Sequence, residues 1–213
     1  MQTHVRTLAL VLALGLFQSV AAQAPARRFE VLAGNYHTSY PVLGFPALFY
    51  QTYHPGFQAG YEWRLKESGR RTWALRARAG FFYHRFIQTA IPLAAEGVFH
   101  WRPGKAPSSR WGLEAGLGAG YLHSFPLTDV FRLQSDGSYK REFQYGRPQA
   151  TLSLTPGISY ALDGDHRTRL LLRYQMAFQL PFVSGFVPLL PYNILQVGAS
   201  FGLTPAPHKA KLD

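Results

Sequence analysis

Two short pairings in this sequence bring together residue types that can transfer an acyl group: His37-Thr38-Ser39 and His123-Ser124. A serine hydroxyl becomes a nucleophile when a histidine within hydrogen-bond reach takes its proton, a third group orients that histidine, and donors receive the oxyanion. Spacing supplies only the first condition, so both pairs read as polar residues at loop edges and no catalytic residue is assigned. A second grouping is His37, His54, His84 and His123, all near the same ends of their apolar segments, where imidazoles could hold a metal or haem. Side-chain parity puts His54 and His84 on one face and His37 and His123 on the other, against a four-ligand set. His54 and His84 read as a rim hydrogen-bond pair, and no metal or cofactor is assigned. The third set is the largest: Glu62, Arg76, Arg78, Glu96, Glu114 and Arg173, with Arg64 and Arg169, recur at alternate positions among apolar residues.

The elements that position this charged set are strands. From Phe57 to Leu65 the odd positions are Phe57, Ala59, Tyr61, Trp63 and Leu65, while the even ones are Gln58, Gly60, Glu62 and Arg64. That is the period of two expected of a strand with two unlike faces. The rule repeats from Trp73 to His84, Leu93 to Trp101, Trp111 to Tyr121, Gln149 to Tyr160, Arg169 to Phe178 and Leu195 to Leu203. A weaker first strand near residues 29–37 makes eight, with lengths suited to a tilted crossing of a bilayer core.

Composition agrees with that reading. Aromatic residues make up 15% of the chain and glycines number 20, yet mean hydropathy is −0.09. No later stretch is apolar for long enough to cross a membrane as a helix. There is no cysteine, which excludes disulfides, thiol chemistry and cysteine-held zinc. The first residues, with Arg6, an apolar run from Leu8 to Phe17 and a small-residue exit at Val20-Ala21-Ala22, have the layout of a cleaved signal peptide. The expected organisation is a signal peptide over 1–22, a barrel over 23–203 and a periplasmic tail over 204–213. The formal charge of +11 would suit nucleic acid in another compartment. Export makes membrane anions the better partner, and no nucleic acid is expected.

Connections provide an independent signal. Short ones are expected at 67–71, 103–110 and 163–166, and longer ones at 38–55, 85–91, 125–147 and 179–191. Membrane barrels keep short turns on the periplasmic side and long loops outside, which places both termini in the periplasm. Trp63, Trp73, Trp101 and Trp111 flank the short turns on the apolar parity and are expected to form part of an aromatic girdle.

A soluble barrel would not turn a continuous Trp, Leu and Tyr face to water. The charges therefore point inward, and buried charges must be paired. A three-residue turn at Ser68-Gly69-Arg70 puts Glu62 opposite Arg76 and His54 opposite His84. An eight-stranded interior is just wide enough for side chains, so the set reads as a lumenal salt-bridge plug. An ion path lined by charge is the alternative.

The last segment, Gln196-Val197-Gly198-Ala199-Ser200-Phe201-Gly202-Leu203, resembles the signal read by the barrel-assembly machinery. Over nearly all its length after the signal, the chain resembles the small eight-stranded bacterial outer-membrane β-barrels. The resemblance implies an all-β fold, a transmembrane antiparallel up-and-down barrel of eight strands. It also implies assembly by that machinery and lipopolysaccharide and phospholipid as neighbours. Some members modify lipid A, one with a histidine and a serine two apart plus a glutamate, as a deacylase; another is a palmitoyl transferase. His37 and Ser39 have that spacing, but the late-strand placement and following glutamate are absent, Asp165 being the last acidic residue before the tail.

The loops point elsewhere. Residues 38–55 and 179–191 contain no Lys, Arg, Asp or Glu. They carry Phe45, Phe49, Phe182 and Phe186, and closure of a barrel makes these loops neighbours. Exposed apolar patches mark interaction sites, so a non-enzymatic role in adhesion, protein partnership or envelope organisation is expected. A lipid-modifying enzyme and a small-solute or hydrophobic-compound conduit are the alternatives. Residues 125–147 read as a hydrated hairpin turning at Asp136-Gly137-Ser138. Basic residues crowd the short turns, Arg64, Arg102 and Arg167 among them, facing anionic headgroups.

Overall fold

The computed structural model describes residues 27–203 except 105–108, 128–129, 144 and 183–184. The expected signal peptide and tail, and parts of the 103–110 turn and the 125–147 and 179–191 loops, thus lie outside the described residues. Within them, chain order is β1 (Arg27–Thr38), α1 (Ala47–Tyr50), β2 (Pro55–Ser68), β3 (Arg71–His84), β4 (Gln88–Trp101) and β5 (Trp111–Pro126). Then follow β6 (Val130–Leu133), β7 (Tyr139–Glu142), β8 (Arg147–Ala161), β9 (Thr168–Leu180) and β10 (Leu190–Gly202). Eight of these strands close into one antiparallel barrel in the order β1-β10-β9-β8-β5-β4-β3-β2, and β6 and β7 form a separate hairpin. No described helix is long and apolar enough to cross a membrane.

Alternation of side chains decides what faces where. On β3 burial alternates along almost the whole strand, with Ala74, Arg76 and Arg78 inside and Trp73, Leu75 and Ala77 outside. Arg76 is 0% exposed while Leu117 on β5 is 71% exposed. The amphipathy is therefore the reverse of that of a water-soluble barrel.

Register follows from that parity. Glu62 pairs with Arg76 across β2 and β3. The turn differs from the expected three residues: Ser68 pairs with Arg71, leaving Gly69-Arg70 as a two-residue turn with Gly69 at φ +57°. An irregularity between Arg64 and Lys66 absorbs the difference. A bulge admits one extra residue on one strand, so the inner pairs keep their register.

Two more expectations are corrected. The connection between β3 and β4 spans only residues 85–87, because β4 begins at Gln88. Loop length thus alternates less strictly than the sequence suggested. His37, expected toward lipid, is 9% exposed, since the segment after β1 folds back over its outer face.

Candidate functional site

Three layers fill the barrel between the short-turn end and the mouth. The one nearest the short turns is ionic. Arg76, on β3, lies 2.7 Å from Glu62, 3.3 Å from Glu96, 3.4 Å from Glu114 and 3.3 Å from Glu30. Arg173, on β9, forks across Glu30 at 2.8 and 2.7 Å and also bonds Glu114. Arg78 bonds Glu96, whose Oε1 accepts from Thr155 at 2.9 Å. His100 sits 3.1 Å from Glu62 and 3.5 Å from Glu114. Guanidinium forks suit such sharing, because each presents several donors in one plane.

Space for these side chains comes from glycines on the lumenal parity. A Cβ at Gly118 would stand 2.5 Å from Glu96 Cγ, and one at Gly60 would stand 2.7 Å from Glu30 Oε1. Narrow barrels have little interior volume, so long charged side chains fit where neighbouring positions have none.

Above the ionic belt lies an aromatic layer. Tyr36 stacks on Phe82 at 4.5 Å, and Phe82 meets Tyr192 edge-on at 5.5 Å. A cavity of about 40 Å³ separates this layer from the belt, lined by Tyr36, Arg78, Phe82, Gln175 and Tyr192 among others. That is room for a few waters. Arg78 Nε and Nη1 have no protein partner there among the described residues.

Nearer the mouth, amide side chains link five strands. Gln88 donates to Gln179 at 2.7 Å and to the Tyr192 hydroxyl at 2.8 Å. Gln179 in turn donates to Gln149 at 2.6 Å, and Gln149 accepts from Ser124 at 2.7 Å. Gln149 also donates to the carbonyls of Pro181 and Phe182.

The histidine and serine pairs are split by this arrangement. Ser124 bonds Gln149 in the lumen, whereas His123 contacts the Tyr121 hydroxyl at 2.7 Å and the Tyr145 carbonyl at 2.9 Å. Ser39 accepts from Asn193 at 2.6 Å, and His37 stands 6.2 Å from His54, ring to ring. His54 stacks on His84 at 3.7 Å, while Thr38 Oγ1 lies 3.4 Å from His84 Nε2. Parallel stacking directs lone pairs along the ring planes rather than toward one point between the rings.

Sequence reasoning missed Glu30 and His100 as members of the belt. Glu30 has lumenal parity, but Asn35 and His37 blur the alternation of β1, and both are buried on the outer parity. His100 shares the parity of Glu96 on β4, but parity alone names no partner for it. Its partners lie on β2 and β5, the latter adjacent to its own strand.

Outside the barrel, Trp73, Trp101 and Trp111 are exposed and Trp63 is half-buried. Tyr61 lies against Trp63 at 4.7 Å, Phe99 against Trp73 at 4.9 Å and Tyr160 against Trp111 at 4.9 Å. Amphipathic rings at one level of a barrel wall suit a headgroup boundary.

The four loop phenylalanines fall in two places. Phe45 meets Tyr174 of β9 edge-on at 5.0 Å and so lies against the barrel wall, while Phe49 packs on Phe45 at 5.3 Å and is itself exposed. Phe182 is half-buried at the mouth, its carbonyl held by Gln149, and Phe186 is 86% exposed. Among the described residues no ring contact or hydrogen bond joins the two pairs. The third loop holds the β6–β7 hairpin, with Ser138 donating to Asp136 at 2.7 Å. The Ser138 hydroxyl and amide hold that carboxyl below its usual range.

Charged inside, apolar outside and closed on itself, this is a small eight-stranded transmembrane barrel of the outer-membrane kind. The sequence matches no family model and no curated protein. Among solved structures it is similar to Neisserial surface protein A, with 11% identity, a TM-score of 0.48, and coverage of 84% of this chain and 97% of that one. It is also similar to Ail, the attachment invasion locus protein of Yersinia pestis, at 10% identity and TM-score 0.42, covering 84% and 99%. OprG from Pseudomonas aeruginosa follows at 12% identity and TM-score 0.38, covering 85% and 98%. At these identities the likeness is one of fold.

Proposed function

We propose that the protein is a sealed, non-enzymatic outer-membrane barrel that acts through its long loops in adhesion, protein partnership or envelope organisation. The observation that carries this reading is the lumen: an ionic belt, an aromatic layer and a glutamine layer fill it in succession. A barrel packed this way has its accessible chemistry at the loops. The apolar loop surface at the mouth, Phe182 and Phe186, is the proposed contact for a partner, with Phe45 and Phe49 belonging to the wall beside it.

In this reading residues 1–22 are removed on export, residues 23–203 form the barrel, and 204–213 and the new N-terminus face the periplasm. The last strand carries the assembly signal, Gln196 to Leu203. The basic short-turn end meets anionic phospholipid, and the long-loop end meets lipopolysaccharide. At the short-turn end Arg64 and Arg102 share Glu67, and Lys66, Arg70 and Arg71 are exposed.

The test is a pull-down from intact outer membranes through a C-terminal tag, with co-purified proteins and lipids identified by mass spectrometry. A stoichiometric protein retained by the native chain and lost from F182S/F186S, with folding preserved, supports the proposal. Equal capture by both forms, or lipid alone, overturns it.

A further inference from the structure

The segment between β1 and β2 does not stand up from the mouth. Its hydrogen bonds tie it down the outer wall, to side chains that face away from the lumen. Asn193 of β10 donates to the carbonyls of Ser39 and Tyr40 at 2.9 and 3.0 Å. Asn35 of β1 donates to the Leu48 carbonyl at 3.0 Å and accepts from the His54 amide at 2.9 Å. The Val42 amide donates to the Tyr174 hydroxyl at 3.2 Å, and that hydroxyl donates to Asn193. Three adjacent strands thus present polar groups outward at positions where their neighbours along the same face are Val31, Val197 and Leu172. Such groups are costly on a lipid-facing wall unless satisfied, and the segment satisfies them.

Its other side is apolar. Ala47 and Leu48 are buried toward the barrel, whereas Val42, Leu43, Phe49 and Tyr50 are 65%, 85%, 66% and 73% exposed. Residues 38–55 carry no charged side chain. Depth follows from the anchor: Tyr174 lies six residues short of the mouth end of β9. At ~3.3 Å per residue and ~45° of tilt, that is about 14 Å of height. A segment anchored at that tyrosine lies well below the mouth end of β9, beside the apolar barrel wall.

We propose that residues 39–53 form a strap seated in the leaflet at the long-loop end, where Val42, Leu43, Phe49 and Tyr50 bind the acyl chains of the surrounding lipid. The occupant is hydrocarbon. A water-facing segment of this length would be expected to carry charges, and residues 38–55 carry none. The inference depends on the barrel being in a membrane and is independent of what the mouth loops capture.

The absence of native cysteine allows single-site spin labels. L43C, F49C, L172C and D136C would each be labelled in the full barrel reconstituted in phospholipid vesicles at high lipid-to-protein ratio. Collision with oxygen and with a water-soluble nickel chelate would be compared at each site. Folding is checked by the altered migration of unheated barrel on gels. Labels at 43 and 49 should match the lipid-facing label at 172, with oxygen favoured several-fold over the chelate, and differ from the hairpin label at 136. Chelate access at 43 and 49 equal to that at 136 overturns the proposal. So does dipolar broadening that persists on dilution in lipid, which would place a second copy of the chain on the strap. To separate a local effect of the label, L43K/F49K should raise chelate access at a label on residue 50. No change in that variant also counts against the strap.

Discussion

Arg76 is the residue on which the interior depends most. Four carboxylates from four strands, β1, β2, β4 and β5, lie within 3.4 Å of its guanidinium. Removing one partner of a buried ion pair leaves uncompensated charge, a loss of about 3–5 kcal/mol. R76M should lower stability by that amount in urea unfolding from lipid vesicles, followed by tryptophan emission. An unchanged midpoint would mean that the side chain fills space without organising charge. R76K should recover only part of the loss, because an ammonium cannot present a planar fork to several carboxylates at once. At this scale the sequence was readable where parity was clean: Glu62, Glu96, Glu114, Arg78 and Arg173 all stand on the lumenal face. Glu30 was not legible, because its strand changes character at Asn35, where the segment that follows β1 folds back over the outer wall. That covering is a tertiary event with no periodic trace.

Among the elements, the β2–β3 hairpin shows how a correct register can rest on a different turn. A three-residue turn and a two-residue turn with one bulge leave the same residues opposite each other. Leu65 continues the apolar alternation, so nothing in the sequence marked the irregularity beside it. Gly69 at φ +57° occupies the first position of the two-residue turn, where a primed turn places glycine. A side chain there meets the left-handed penalty of about 1–2 kcal/mol. G69V should lose that much in the same urea assay while G137A, if its effect is confined to the hairpin outside the barrel, should leave barrel unfolding unchanged. An equal loss in both would show that the hairpin and barrel unfold together. The β6–β7 hairpin was legible from its Asp-Gly-Ser turn, a local signal. The strap was not, since its amphipathy is set by polar anchors on β1, β9 and β10.

For the whole molecule, the proposed seal of the lumen makes a prediction about ions. Reconstituted in a planar bilayer, the native barrel should show no conductance steps, and regular steps would mean that the belt parts under voltage. Fold and membrane location were legible because lipid imposes period-two order on every strand at once. The use of the mouth was less so, because loops obey no such period. Closure has one more consequence, for assembly. Glu30 and Arg173 are 143 residues apart in sequence and Arg28 reaches Ser200 across 172. An open sheet that has not yet joined β1 to β10 therefore carries carboxylates and guanidiniums whose partners are far along the chain. Such contacts are slow to form, and until they do the lumenal face is a charged surface unfit for hydrocarbon. Entry into the bilayer and sealing of the seam are thus coupled. The half-built barrel has no stable resting place in the membrane, so a chain arrested before its last strand should be cleared rather than accumulate there.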